Sequence, residues 1–283
     1  MLRLLGITDI KLKTCGCKLV QYCSVDCLRN HRSQHRKACQ QRMAQIRARQ
    51  EMLFRQPESS HLGDCPICWL PLPLGKTTIN TCCSKVICDG CSYANTLRAD
   101  EEYLEETCPF CRQTVPKTVE EADQNRMKRV KTNDPVALHQ RGIRLAKEED
   151  YKGAIEYFTR AAALGDLAAH YDLSFMYKWG EGVAKDMKKA VYHMEEASIG
   201  GHPDARFNLG RVEEENGRPE RAVKHYIIAA KLGDEVALET VKEYFTKGMV
   251  RKEDYEVALR GYQAAVDATK SKQREEAYAY YKD

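Results

Sequence analysis

The segment Gly165–Ala190, GDLAAHYDLSFMYKWGEGVAKDMKKA, reads as one whole helix and the start of a second. Gly165 suits the left-handed C-cap of a preceding helix, and Asp166 the N-cap of the next. Ala169, Leu173, Met176 and Tyr177 then follow the i, i+4, i+7, i+8 spacing of a helix with one apolar face. The pattern returns along the chain. Ala137, Ala169, Ala205 and Ala237 form one series, with steps that run short, long, short. Ala154, Ala190, Ala222 and Ala258 form a second, with steps that run long, short, long. The two alanines of a unit are therefore alternately closer and further apart, which predicts a four-residue loop insertion in units two and four. Gly165, Gly201 and Gly233 close units, Asp134-Pro135 opens the first with an N-cap and an N1 proline, and Ala237, Val241, Tyr244 and Phe245 repeat the apolar stripe. A helix pair of this kind cannot bury its apolar face alone, so the units must stack. Residues 134–283 are therefore expected to form a solenoid of four helix pairs without a catalytic signature, with Tyr157, Phe158, Tyr192 and Tyr226 between the helices.

Gly180-Glu181-Gly182-Val183, followed by Asp186 and Lys189-Ala190, resembles the loop and second helix of Sel-one-like repeats, short relatives of tetratricopeptide repeats. The resemblance covers about residues 134–270. It departs from the pattern in unit one, where Arg141 stands in the place of Leu173 and Leu209. It implies a scaffold whose concave face recruits a protein partner. Upstream, Thr118 and Glu121 form a capping-box pattern, so residues 117–133 are expected to hold a charged connecting helix from Val119 to Lys131.

All 13 cysteines lie between Cys15 and Cys111, and none follows Cys111. An odd number in close pairs, without a secretory signal, argues against a disulfide framework and for zinc in a reducing compartment, cytoplasmic or nuclear. The composition, 43% hydrophobic and 30% charged with a mean hydropathy of -0.60, is that of a soluble chain without a membrane-spanning run. The net charge of +4 is uneven: residues 1–56 carry twelve Lys/Arg against three Asp/Glu. Such an arm suits nucleic acid, an acidic partner or simply a solvated helix face.

Between Cys65 and Cys111 the order is Cys65-x2-Cys68, then Cys82-Cys83, then Cys88-x2-Cys91, then Cys108-x2-Cys111. Two-residue gaps let both thiolates of a pair meet one tetrahedral zinc, and four pairs supply two closed sites. So short a segment needs that metal to fold. Lys and Arg are sparse here, which argues against nucleic acid, and four pairs at zinc spacing outweigh a redox CxxC. The spacing and the flanks CPIC and CPFCR resemble a RING finger over residues 61–116; treble-clef and PHD-like fingers share the paired cysteines. The RING resemblance implies interleaved sites: Cys65, Cys68, Cys88 and Cys91 on one zinc, and Cys82, Cys83, Cys108 and Cys111 on the other. It also implies that Ile67, Pro109 and Arg112 contact a ubiquitin-conjugating enzyme, Arg112 biasing the thioester toward a reactive geometry. Lys85 stands where a RING histidine usually lies. Cys82 restores the ligand count, and Lys85 is then expected to be the charge partner of that dianionic site. Trp69 is expected in the core or at a groove edge.

Cys15-Gly-Cys17-x4-Tyr22-Cys23-Ser24-x2-Cys27-x3-His31-x3-His35-x3-Cys39 resembles the second half of a MYND finger. His35 and Cys39 lie one helical turn apart on one face. The resemblance implies one complete site from Cys15, Cys17, His35 and Cys39, with His31 structural. Residues 1–14 contain no cysteine, so Cys23 and Cys27 form an incomplete half-site, as expected of a truncated start. The stretch from Cys27 to Phe54 lacks Pro and Gly and should be a helix trailing this finger in residues 1–56. Pro57-Glu58-Ser59-Ser60 breaks it.

The expected protein is thus mainly α, with two small zinc-stabilised modules holding three zinc ions ahead of a helical solenoid. The expected function is that of a RING-type ubiquitin ligase whose repeats recruit a protein. The alternative is a non-catalytic zinc-finger adaptor, and neither nucleic acid nor membrane is expected as a partner.

Overall fold

A computed structural model describes residues 13–14, 21–22 and 25–282, with side chains from Lys37 to Lys282. The chain divides into two compact units, Met1–Arg55 and Gln56–Asp283. In the first, β1 (Lys13–Thr14) pairs antiparallel with β2 (Gln21–Tyr22), and α1 runs from Val25 to Phe54. The run without Pro or Gly is helical, and the helix stops before Pro57.

The second unit opens with a short hairpin, β3 (Thr77–Ile79) against β4 (Val86–Cys88), followed by α2 (Asp89–Glu101). The connecting helix α3 spans Val119–Lys131. Thr118 caps it by accepting from the Glu121 N–H, while Glu121 reaches back to the N–H of Lys117, one residue before the position of a standard capping box. Four helix pairs follow: α4 (Pro135–Lys147) and α5 (Tyr151–Ala163), α6 (Leu167–Trp179) and α7 (Met187–Ile199), α8 (Pro203–Glu215) and α9 (Pro219–Ala230), α10 (Glu235–Thr246) and α11 (Lys252–Ala268). A last helix, α12 (Lys272–Tyr280), returns to the finger.

The unit boundaries are set by local chemistry. Asn133, Gly165, Gly201 and Gly233 all adopt left-handed backbone with φ between 54° and 94°. The next residue caps the following helix. Asp134, Asp166 and Asp234 accept from the N–H of Ala137, Ala169 and Ala237 at 3.1, 2.8 and 2.9 Å, and in unit three His202 Nδ1 accepts from Ala205 at 3.4 Å. Each such cap stabilises its helix by about 1 kcal/mol. All eight alanines of the two series are buried.

Large side chains of each second helix meet small residues of the first. Phe158 lies against Gly142 and Tyr226 against Gly210, and a methyl group on either glycine would overlap the facing ring. In unit two the buried Met194 takes the place of those aromatics. That overturns the expectation for Tyr192, which is 49% exposed because Met194, two residues on, already fills the core position. Gly142→Ala and Gly210→Ala are each expected to cost about 1–3 kcal/mol by overpacking, read as a lower midpoint in urea denaturation.

The insertions fall differently in the two long units. In unit two the whole insertion is loop, residues 180–186 against 148–150 and 216–218 in the short units. Gly182 there has φ 70° and lies so close to the Tyr151 carbonyl that a Cβ would collide with it. In unit four the loop is only 247–251, and the remaining residues lengthen the start of α11 instead. Glu253 and Asp254 in that first turn favour the extension, being anionic at the positive end of the helix dipole.

Candidate metal centre

Two short bridges, Asp64↔Pro71 and Thr107↔Thr114, close two cysteine knuckles of the same design. In the first, Cys65 N–H bonds to Leu70 O and Trp69 N–H to Cys65 O, and Trp69 is left-handed with φ 58°. In the second, Cys108 N–H bonds to Gln113 O and Arg112 N–H to Cys108 O, and Arg112 has φ 62°. Trp69 and Arg112 are therefore equivalent positions. The turn projects Trp69 outward, 78% exposed, so it is not a core residue.

The fold gathers the cysteine pairs alternately. The sulfurs of Cys65, Cys68, Cys88 and Cys91 lie within 4.8 Å of one another, as do those of Cys82, Cys83, Cys108 and Cys111. A zinc–sulfur distance of about 2.3 Å implies tetrahedral sulfur–sulfur edges of about 3.8 Å. Cys68 and Cys88 are 3.8 Å apart, Cys83 and Cys108 3.8 Å, and Cys82 and Cys111 3.3 Å. The donor sets fit zinc. The adjacent pair Cys82-Cys83 reaches its cluster because residues 80–85 turn tightly: Ser84 is left-handed, its N–H bonds to Asn80 O at 2.7 Å, and Asn80 N–H bonds to Lys85 O.

Burial works against charging most of these sulfurs. Burial and then the neighbouring sulfurs push the Cys91 and Cys82 thiols far up, and burial pushes Cys83 up to about 11. Burial also raises Cys65, but N–H groups of Cys68, Cys88 and Ile67 outweigh it together and bring that thiol down to about 7. As four thiolates, either cluster would need a divalent ion to offset that cost.

Lys85 is not the charge partner expected of it. Its ammonium lies 5.3 Å from the centre of the Phe110 ring, and it serves the cluster through its backbone N–H, which bonds to Cys83. At the first cluster a cation does lie beside a sulfur: Arg274 of α12, whose Nη2 is 3.3 Å from Cys68 Sγ. Nothing in the sequence marks so distant a residue for this role. Of the expected enzyme contacts, Ile67 is 37% exposed, Pro109 is half-buried and Arg112 is exposed.

Cys15, Cys17, Cys23 and the side chains of Cys27, His31 and His35 lie outside the described residues. Cys39 is described, half-buried on α1.

The repeat unit also contains buried histidines. His61, in the segment leading to the first knuckle, stacks on His202 at 4.0 Å, and Tyr171 stacks on His202 at 4.4 Å. His61 N–H bonds to Gly201 O at 3.1 Å, tying this segment to the turn before α8. Burial lowers His202 and His225 to about 3, and His61 and His193 to about 4. No helix among the described residues is long and apolar enough to cross a membrane.

These features define a helical-repeat protein carrying cysteine-rich metal modules. The family model described as MYND finger matches residues 8–39, and that described as Sel1 repeat matches residues 137–166, 167–202 and 203–234. The chain carries a MYND finger and Sel1 repeats, and α10 and α11 add a further helix pair behind the three matched. Among solved structures it is similar to a Sel1 repeat protein from Oxalobacter formigenes, at 30% identity over 54% of this chain and 66% of that one, with a TM-score of 0.46. It is also similar to a protective antigen of uropathogenic Escherichia coli displaying an SLR fold, at 25% identity over 59% of this chain and 36% of that one, with a TM-score of 0.36. The chain thus spans just under two thirds of the first protein and about a third of the second. No curated protein matches the chain.

Proposed function

We propose that residues 61–116 act as a RING-type ubiquitin ligase finger and that the helical repeats hold the protein to be modified. The observation that carries this reading is the alternate pairing of eight cysteines into two clusters, with Ile67, Pro109 and Arg112 reachable from solvent on the two equivalent knuckles. Two zinc ions would sit in these clusters and a third in the MYND finger on Cys15, Cys17, His35 and Cys39. When bound, zinc supplies rigidity rather than chemistry. The work falls to this chain's residues: Ile67 and Pro109 seat a charged conjugating enzyme, and Arg112 donates hydrogen bonds that hold its thioester in one orientation. The thiolate state of so many cysteines suits a reducing compartment, cytosol or nucleus.

The test is autoubiquitination with a panel of conjugating enzymes. Wild type should build chains, and Arg112→Ala should slow transfer roughly tenfold to a hundredfold with zinc content unchanged. Absence of transfer by wild type with every enzyme would favour the second reading, a non-catalytic adaptor. The exposed Trp69, Tyr103 and Phe110 around the clusters support that reading as an apolar contact surface.

A further inference from the structure

Arg274 belongs to the repeat array by sequence but is seated in the finger. Its Nη1 donates to Pro71 O and to Thr269 O, each at 2.7 Å, and its Nη2 lies 3.3 Å from both Leu70 O and Cys68 Sγ. One guanidinium thereby joins the first knuckle, the end of α11 and α12. We propose that Arg274 is the outer-sphere cation of the Cys65, Cys68, Cys88 and Cys91 site, so that metal loading of this site locks α12 onto the finger.

Four thiolates around a divalent ion carry a net charge of −2. Such a site retains metal better when a fixed positive donor faces one sulfur. Only a planar fork spans these acceptors from two nitrogens, so lysine cannot reproduce the arrangement. The approach is built into the backbone. Gly90, between the ligands Cys88 and Cys91, has no side chain, and a Cβ there would come within 2.8 Å of Arg274 Cγ and 3.0 Å of its Cα and N. Beside this contact Tyr93 of α2 packs on Tyr280 at 4.9 Å, and the Lys76 ammonium lies 3.7 Å from the Tyr278 ring centre. Coupling of this kind is reciprocal: whatever factor metal adds to α12 docking, docked α12 adds to metal affinity. The finger is then a rigid extension of the repeats, held at a fixed orientation to whatever they bind, for as long as this site is loaded.

The proposal rests on the zinc reading of the four thiolates and not on ligase activity. Cobalt(II) titration of the full chain, followed by sulfur-to-metal charge-transfer absorption, counts thiolate sites and their affinities. Hydrogen exchange of residues 272–280 reports α12 docking in the same samples. Arg274→Met is expected to weaken one site about 10–100-fold and leave the others unchanged, with faster α12 exchange even when metal is present. Arg274→Lys should be intermediate. Gly90→Ala, which alters no ligand or charge, should weaken the same site by displacing α12. Metal removal from wild type should raise α12 exchange while the repeats stay protected. Affinities within twofold of wild type in Arg274→Met, or α12 exchange indifferent to metal, would overturn the proposal. Absence of a tetrathiolate cobalt spectrum from wild type would overturn the zinc reading along with it.

Discussion

Replacing Cys65 by alanine is expected to release both zinc ions of the finger and unfold most of residues 61–116 while the helix pairs remain folded. The reason lies in what the finger has for a core. Its buried cluster is Cys65, Leu72, Ile87, Cys88 and Cys91, so three of the five residues are candidate metal ligands. The regular structure around it amounts to two three-residue strands and one helix of 13 residues. Two buried aliphatic side chains, Leu72 and Ile87, are too small a core to order a segment of this length by themselves. A structural zinc contributes on the order of 10–16 kcal/mol and is tied to folding. The repeats need no such help, because they hold their own clusters, one around Leu138, Phe158 and Leu173 and another around Tyr226, Leu238 and Val241. Metal analysis should find three zinc ions per wild-type chain and one in Cys65→Ala, because the second cluster lies in the segment that unfolds. Amide exchange should rise across 61–116 and stay slow in the helix pairs. Unchanged exchange in 61–116 after metal loss would mean that the finger folds without its ions.

Acid should destabilise the repeat unit well before its carboxylates are protonated. His61, His193, His202 and His225 all have pKa values lowered by burial, the last two to about 3. The native state therefore binds fewer protons than the unfolded chain, whose histidines titrate near about 6.5. Their contribution is complete above about 6.5 and is lost as pH falls toward 4. At pH 5 His61, His202 and His225 each cost about 2 kcal/mol relative to pH 8, and the more exposed His193 less. His139 acts in the opposite sense: burial lowers its pKa, but its bond to Asp172 at 2.8 Å and the charges of Asp166 and Asp172 together outweigh that and raise it, so it favours the native state at low pH. His202 is the most informative position, because its Nδ1 lone pair caps α8 and a protonated ring cannot accept. His202→Asn keeps a capping acceptor and does not titrate. Urea denaturation from pH 8 to 5 should therefore show a loss of stability smaller in His202→Asn than in wild type, by about 2 kcal/mol. Metal release at low pH affects both proteins alike and drops out of the difference. Parallel pH profiles would mean that His202 is already protonated in the native state, or stays neutral in the unfolded one.

The parts of this protein legible in its sequence are those whose physics is local. The cap of each first helix needs only a residue and the N–H three positions on, which is why Asp134 and Asp166 could be recognised without coordinates. The alanine series could be recognised because every unit meets the same packing demand, and eight small residues satisfy it at one period. Cysteine gaps of two residues are themselves a coordination geometry, so the choice of zinc over disulfides was also available from spacing. Where local chemistry allowed two solutions, the sequence was less decisive. Unit four lengthened a helix where unit two lengthened a loop, and Met194 entered the core in place of Tyr192, its near neighbour on the same helix.

What only the tertiary structure decided are the contacts between distant elements. Lys85 lies two residues from Cys83 of the second cluster, yet its side chain turns to Phe110 and its backbone serves the sulfur. Arg274 reaches the first cluster from the far end of the repeats, through a space that exists because residue 90 is glycine. His61 meets His202 because the turn at Gly201 bonds the segment leading into the finger. No period or spacing encodes such pairs, since each occurs once and depends on where the intervening helices carry the chain. Local hydrogen bonding and metal geometry wrote the modules into the sequence; the stacking of the helices determined which of their surfaces meet.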